Sequence, residues 1–482
     1  MKLVLRKEVF NYAHGFHNDF NHATFANEFV RRMKLVAFVI FTTLLSPACL
    51  YAQSENSEDS DVVSLAEDTE CAPESDDCDT GKALSYEDDA TEDTEDVNTE
   101  DTSVKSVEAD LATGNTLKPA IFPIDPIDSR LMHFYQFKDR VQEASGLRWN
   151  VDYSILMQHA SFTESGEDTA SSSVFRILGT WLRVGDRDKA YGHLVWKVET
   201  RNPIFGNPTP RDMGFDTGSA LSTANYKELD YWGITDLYWA QRFNGGRHAF
   251  LVGHMDAGDW ADQYPLLNAW TAFISDAFYN NPTIATPKRG FGIVGQTILA
   301  DKLYLMGGVH DANGKDGKLD FSSFWDTGEL FKWAEFGHRG SENNVSARHN
   351  VHLNYWHQDE REETMVDKSW GLAFTYSTIG HRGNVGFIRA GYSRGGAAQM
   401  RRFIGVGGSL KVFGRDNLGV AVSWGSPPDK TLRDQFTGEV FYRVQLTQNL
   451  TFTPNFQWTF HPSLTLDTRW VLIPGLRMRL VF

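Results

Sequence analysis

The chain ends on a segment that is apolar at every second position: Leu476, Met478, Leu480 and Phe482, with Arg477 and Arg479 between them. Successive side chains of a strand point to opposite faces, so this segment sets an apolar face against a charged one. A fold that ends this way must supply two environments, one for each face.

The same period recurs upstream. Between Leu147 and His159, Leu147, Trp149, Val151, Tyr153, Ile155 and Met157 alternate with Arg148, Asn150, Asp152, Ser154 and Gln158. Leu194, Trp196 and Val198 oppose Lys197, Glu199 and Arg201, and Leu237, Trp239 and Phe243 oppose Asp236, Tyr238 and Arg242. Late in the chain, Leu450, Phe452, Phe456, Trp458 and Phe460 stand opposite Thr451, Thr453, Asn455, Gln457 and Thr459. Such runs have the length that a tilted membrane strand needs. Turn-rich stretches separate them, among them Asn244-Gly245-Gly246 and Gly414-Arg415-Asp416-Asn417.

The mean hydropathy of −0.38 excludes a helical membrane bundle. It does not exclude a barrel, in which only the outward half of each strand must be apolar. Phe, Trp and Tyr make up 13% of the chain, as aromatic girdles at two interfaces require. Alternation alone also fits a soluble secreted, carbohydrate-binding β-sandwich, which stays as an alternative; the C-terminus favours the barrel. Its terminal aromatic behind three alternating apolar residues resembles the signal by which outer-membrane proteins are read by the barrel-assembly machinery. The expected fold is a transmembrane antiparallel β-barrel over residues 147–482, with an even number of strands, set here at 16.

Charge divides the rest of the chain. Residues 51–120 hold 22 acidic side chains against 3 lysines, residues 1–50 hold 6 basic against 3 acidic, and the remainder is near neutral. No basic surface for nucleic acid exists. Residues 1–32 carry no targeting pattern and read as an N-terminal extension, with Met33 as a candidate true start. Arg31, Arg32 and Lys34, the apolar run Leu35 to Leu45, and Leu50-Tyr51-Ala52 read as a signal peptide over 33–52, since the run is too short to span a bilayer; lipidation at Cys49 is the alternative. Residues 53–118 bury too little apolar surface to offset their ordering entropy and are expected to form a disordered acidic segment. Within it, Cys71 and Cys78 are expected to form a local disulfide, with free thiols as the alternative. Residues 119–146 form a linker and a short helix, for which Asp128-Ser129 predict the cap and Gly146 the stop.

The stretch Glu439-Val440-Phe441-Tyr442-Arg443, followed by Leu450-Thr451-Phe452-Thr453-Pro454-Asn455-Phe456-Gln457, resembles late strands of the carbohydrate-selective porin family, the OprB type. There an E-x-F-Y-R segment precedes an I-T-P-D-x-Q segment; Asn455 replaces the usual acid, and the proline-rich element that follows is reduced to His461-Pro462. Gly253-His254-Met255-Asp256, Phe273-Ile274-Ser275, Asn281-Pro282 with Pro287, Gly307-Gly308-Val309-His310-Asp311-Ala312 and Arg415-Asp416-Asn417-Leu418-Gly419 agree in order. His254 stands where a Lys is more usual. The resemblance spans most of residues 130–482 and implies passive, sugar-preferring diffusion across the bacterial outer membrane, without a cofactor.

A sugar path needs polar walls for hydroxyls and aromatic faces for C–H surfaces. The candidate substrate-binding residues are Arg148, Asp152, Lys197, Glu199, Arg201, Asp236, Arg242, Asp256 and Trp260 from the early part. Glu439, Arg443, Asn455, Gln457, Arg477 and Arg479 are the late ones. First and last strands meet when a barrel closes, so the two groups are expected to share a wall. Tyr264 and Phe278 are further stacking candidates. Expected partners are transported sugars, outer-membrane lipid and lipopolysaccharide, and the barrel-assembly machinery, with a homotrimer as a candidate assembly. A general porin without sugar preference is the nearest alternative. Gly391-Tyr392-Ser393-Arg394-Gly395 matches a hydrolase elbow, but that motif requires alternating helices that the pattern lacks, so no enzyme is expected. Asp311-Ala312-Asn313-Gly314-Lys315-Asp316 departs from a calcium loop and reads as a turn.

Overall fold

The computed structural model describes residues 106–114, 120–186, 189–300, 302–340, 348–380, 383–413 and 416–482. The expected extension 1–32, the signal segment 33–52 and the Cys71–Cys78 pair lie outside them. Sixteen antiparallel strands close into a barrel, each paired with its sequence neighbours. They are β1 (Arg148–His159), β2 (Thr169–Asp186), β3 (Ala190–Pro203), β4 (Leu229–Phe243), β5 (His248–Met255), β6 (Gly290–Ala300), β7 (Leu303–Asp311) and β8 (Leu330–Arg339). The second half comprises β9 (Arg348–Gln358), β10 (Ser369–Ile379), β11 (Val385–Arg394), β12 (Arg402–Val412), β13 (Asp416–Ser426), β14 (Gln435–Gln445), β15 (Leu450–Phe460) and β16 (Trp470–Val481). The strand number equals the one expected.

Closure is between β1 and β16, in register from Asp152 opposite Val481 to Gln158 opposite Gly475. The last residue completes the seam: Phe482 N–H donates to Val151 O, and Val151 N–H to Phe482 O, each at 2.9 Å. With every edge paired, the backbone N–H and C=O groups of neighbouring strands bond to one another around the closed sheet, as a bilayer demands.

The alternation read from the sequence sorts as expected. On β1, Asn150, Asp152, Ser154 and Gln158 are buried inward, whereas Tyr153 and Met157 are exposed outward. On β15, Thr453, Asn455, Gln457 and Thr459 are buried, and Phe456 is exposed. Around the barrel Ile293, Leu305, Phe336, Leu353, Phe374, Ile388, Ile404, Val420 and Leu472 also face outward. Such a continuous apolar exterior over a polar interior suits a lipid surround and would be an aggregation hazard in water.

One end of the barrel carries short turns, such as Asn244-Gly245-Gly246 between β4 and β5, where all three residues adopt positive φ. The other end carries long connections. Two of these, 204–228 between β3 and β4 and 256–289 between β5 and β6, fold inward. By the usual pattern of bacterial barrels, the short-turn end is periplasmic.

Helices differ from expectation in two places. Helix α1 (Val107–Gly114) lies inside what was expected to be a disordered segment. It forms because Ser106 accepts from Ala109 N–H as an N-cap, and because Val107 and Leu111 find a buried apolar cluster with Leu178, Val195 and Tyr238 on the barrel wall. Helix α2 (Asp125–Ser145) begins before the expected cap. Its first turn holds Pro126, and Asp128 reaches back to accept Ile124 N–H from within the helix, so the cap acts one turn later than a flanking residue would. Gly146 ends it in the left-handed conformation, as expected. Helix α2 abuts β1, with Phe134 edge-on to Trp149 at 5.7 Å.

Candidate functional site

Strand register builds a charged row across the closing wall. Val481 of β16, Asp152 of β1, Arg176 of β2 and Glu199 of β3 lie opposite one another in turn, all facing inward. Asp152 accepts from Arg479 at 2.7 Å and from Arg176. Glu199 pairs with Arg201 at 2.9 Å and with Arg289 at 3.3 Å. Arg289, which ends the inward loop 256–289, also reaches Asp256 at 3.7 Å and Asp316 at 3.4 Å. Lys197 sits directly opposite Asp236 on β4 and pairs with it, with Asp259 at 4.0 Å. Buried charges persist only when paired or hydrogen-bonded, and here each is met by an opposite one.

Above this row stands Trp270 of the inward loop. The Arg176 guanidinium lies 4.4 Å from its ring centroid, and that of Arg201 lies 5.6 Å away. Trp270, Arg176, Lys197, Glu199, Arg201, Asn225, Asn268 and Arg289 line a narrow cleft that opens to solvent. The indole itself is buried, packed with Tyr226, Leu156 and Val174 under the two guanidiniums, and the guanidinium, carboxylate and amide groups around it offer the cleft both donors and acceptors.

The late candidates act on the inward loops. Glu439 accepts Ile274 N–H and Ser275 N–H, both at 2.9 Å, and Asn455 donates to the same carboxylate at 2.6 Å. Arg477 donates to Ala272 O at 3.1 Å and to Ala269 O; Arg443 donates to Thr271 O at 3.3 Å. Gln457 donates to Thr223 O of the other inward loop at 2.9 Å, where Tyr226 also meets Ser154. On the far wall Asp262 is held by Asn281 at 3.0 Å, Thr375 at 2.7 Å, His352 at 2.9 Å and Arg389. The loop therefore spans the lumen, tied to opposite walls.

Asp152, Arg479, Lys197, Glu199, Arg201, Asp236 and Asp256 are thus gathered near the cleft, whereas Glu439, Arg443, Asn455, Gln457 and Arg477 set the loop that narrows it. Arg242 is drawn instead to Glu108 of α1, at 3.2 Å. Arg148 is half-buried at the start of β1, opposite Thr180. Trp260 packs edge-on against Tyr238 at 6.0 Å, and Tyr264 lies tilted against Phe387 at 4.9 Å; Phe278 is fully buried beside Phe273.

Sequence reasoning missed Arg176, Arg289, Trp270, Asn268 and Asp110. Arg176 had a signal: it is the one charge in Val174-Phe175-Arg176-Ile177-Leu178, at the parity of inward Ser172. Arg289 and Trp270 lie in a loop without period.

The enzyme-like motif sits in a different setting from a nucleophile elbow. Ser393 lies near the end of β11, between β10 and β12, and donates to Met400 O at 2.8 Å. Its Gly391 is required by close approach, since a Cβ there would meet Thr283 of the inward loop. In Asp311–Asp316, Asp311 accepts Asn313 N–H at 2.9 Å as a turn, and Asp316 turns inward to Lys227 and Arg289.

Residues 376–482 match the family model of the carbohydrate-selective porins, OprB family. No curated protein matches the chain in sequence. Among solved structures, Pseudomonas putida OprB at high pH superposes with a TM-score of 0.58 at 13% identity, covering 72% of this chain and 97% of that one. Its low-pH structure gives 0.45 at 13% identity, covering 72% and 96%. A triple mutant of Rhodopseudomonas blastica porin gives 0.44 at 10%, covering 70% and 100%. The chain is a bacterial outer-membrane β-barrel of porin fold, and its last six strands, with the end of the strand before them, match the carbohydrate-selective OprB family.

Proposed function

We propose that the lumen passes carbohydrates, mono- or small oligosaccharides, by passive diffusion into the periplasm, with the cleft at Trp270 as its selective point. The observation that carries this is the indole of Trp270 set between Arg176 and Arg201, within reach of carboxylate and amide groups. A sugar has apolar C–H faces and a rim of hydroxyls. The rim of the indole that reaches the cleft meets the former, while paired opposite charges accept from and donate to the latter. Because the charges are already neutralised pairwise, the path favours a neutral polyol over a bare ion. Asp152, Lys197, Glu199, Arg201, Asp236, Asp256 and Arg479 supply the polar groups, and Glu439, Arg443, Asn455, Gln457 and Arg477 fix the width. The outward apolar band contacts lipid and lipopolysaccharide, the strand ending at Phe482 is the assembly signal, and a trimer is the candidate assembly.

Purified protein in liposomes tests the reading by swelling in iso-osmotic sugars and salts. Faster entry of monosaccharides than of salts of similar size supports it. Equal entry points to a general diffusion porin, and no entry of either removes the pore altogether.

A further inference from the structure

Inside the barrel, α1 occupies ground that a passing solute needs. Glu108 meets His193 Nε2 at 2.6 Å and Arg242 Nη2 at 3.2 Å through both carboxylate oxygens. Two residues on, Asp110 meets Arg176 at 3.2 Å and accepts from Asn268 Nδ2 at 3.0 Å, while its backbone carbonyl accepts from Asn150 at 3.1 Å. Arg176 is also the cation stacked on Trp270, and Ser106, Val107 and Asp110 form one side of the cleft. Leu111 and Val107 are buried against the wall. His193 and Arg242 lie toward the short-turn ends of β3 and β4, so the helix enters from the periplasmic half of the lumen.

We infer that Arg242, His193 and Arg176 form a carboxylate-docking site on the lumen wall whose occupant is α1 of the same chain, so that α1 is a tethered plug of the pore. This rests on the reading of the lumen as the transport path. Three features separate a plug from ordinary packing. The helix joins no strand, so barrel closure does not depend on it. Its grip is confined to one short helix, through Glu108, Asp110 and the two apolar anchors. And it closes the cleft on the group, Arg176, that flanks Trp270. The ion pairs are largely buried, so salt screens them little and the carboxylates themselves, not ionic strength, set the grip.

Single-channel recording in planar bilayers tests this, with heat-modifiable gel mobility confirming a folded barrel in every case. The variants are the E108Q/D110N pair, which removes both carboxylates, and Leu111→Ser, which keeps them and removes an apolar anchor. At low salt each is expected to raise unitary conductance or open time by at least about twofold over the natural chain. A synthetic peptide of residues 104–114, added to the E108Q/D110N form, should restore block. Folded variants with natural conductance and open time overturn the plug and leave the pore reading intact. Failure of the peptide at millimolar concentration overturns the docking site. Absence of conductance in every form overturns the pore reading, and the plug with it.

Discussion

Arg479 donates to Asp152 at 2.7 Å across the seam where the last strand of the barrel meets the first. Arg176 shares the same carboxylate, so one acid bridges two guanidiniums on three adjacent strands. Replacing Asp152 with Asn leaves Arg479 buried with no counter-charge, whereas Arg176 keeps Asp110 at 3.2 Å. The expected cost is about 3–5 kcal/mol. It should appear as a lower temperature for the heat-modifiable shift, with the seam amides of β1 and β16 losing exchange protection before those of β8 and β9. Uniform protection loss, or none, would place the barrel's weak point elsewhere.

Trp270→Ala removes the indole that stacks on Arg176 and Arg201 of the barrel wall. Ring stacking contributes about 0.5–1.5 kcal/mol beyond area burial, so the preference for a monosaccharide over an ion should fall about three- to tenfold. Ion conductance should rise, since a large side chain leaves the path. Liposome swelling paired with conductance on the same preparation measures both. A variant that loses sugar and ion flux together would show Trp270 holding the loop rather than meeting the solute.

Glu439 is the clamp for that loop, through Ile274 N–H and Ser275 N–H. Glu439→Ala leaves two buried amides unmet, which costs about 1–3 kcal/mol each. The loop should detach at that wall, giving larger and noisier single-channel events and weaker sugar preference. Glu439→Gln keeps one acceptor oxygen and should lie between. Identical traces for all three forms would show that the loop holds its place without the carboxylate.

The alternation of β1, β3, β15 and β16 was legible because a barrel's two environments write a period of two into each strand, and the register then follows from sequence neighbours pairing. The shared wall of Asp152 and Arg479 was legible for the same reason. What the period cannot reach is the interior of the lumen. Trp270, Arg289 and Asp262 lie in a loop whose path is set by hydrogen bonds to distant strands, such as Glu439 to Ile274, and no local pattern marks them. Asp110 was hidden differently. It is one carboxylate among 22 in an acidic stretch, and only the position of Arg176 on the folded wall singles it out.

Asp262 carries the last prediction, an acid dependence of the inward loop. Burial raises its carboxyl, but the Arg389 cation and the His352 hydrogen bond outweigh burial and hold it well below the usual carboxylate range. A carboxyl lowered by folding contributes stability that is fully present above its unfolded value of about 4 and is lost as pH falls toward its own lower value. The contribution of Asp262 to exchange protection of the amides from 258 to 281, corrected for intrinsic rate, should therefore decline as pH falls below about 4. Asp262→Asn removes the charge at every pH and strands Arg389, so the loop should be poorly protected already at pH 7. Its remaining acid dependence should then be shallower than that of the natural chain. A variant as well protected at neutral pH as the natural chain would mean that Thr375, Asn281 and the Glu335 contact to Asp262 N–H are enough to seat the loop without the ion pair.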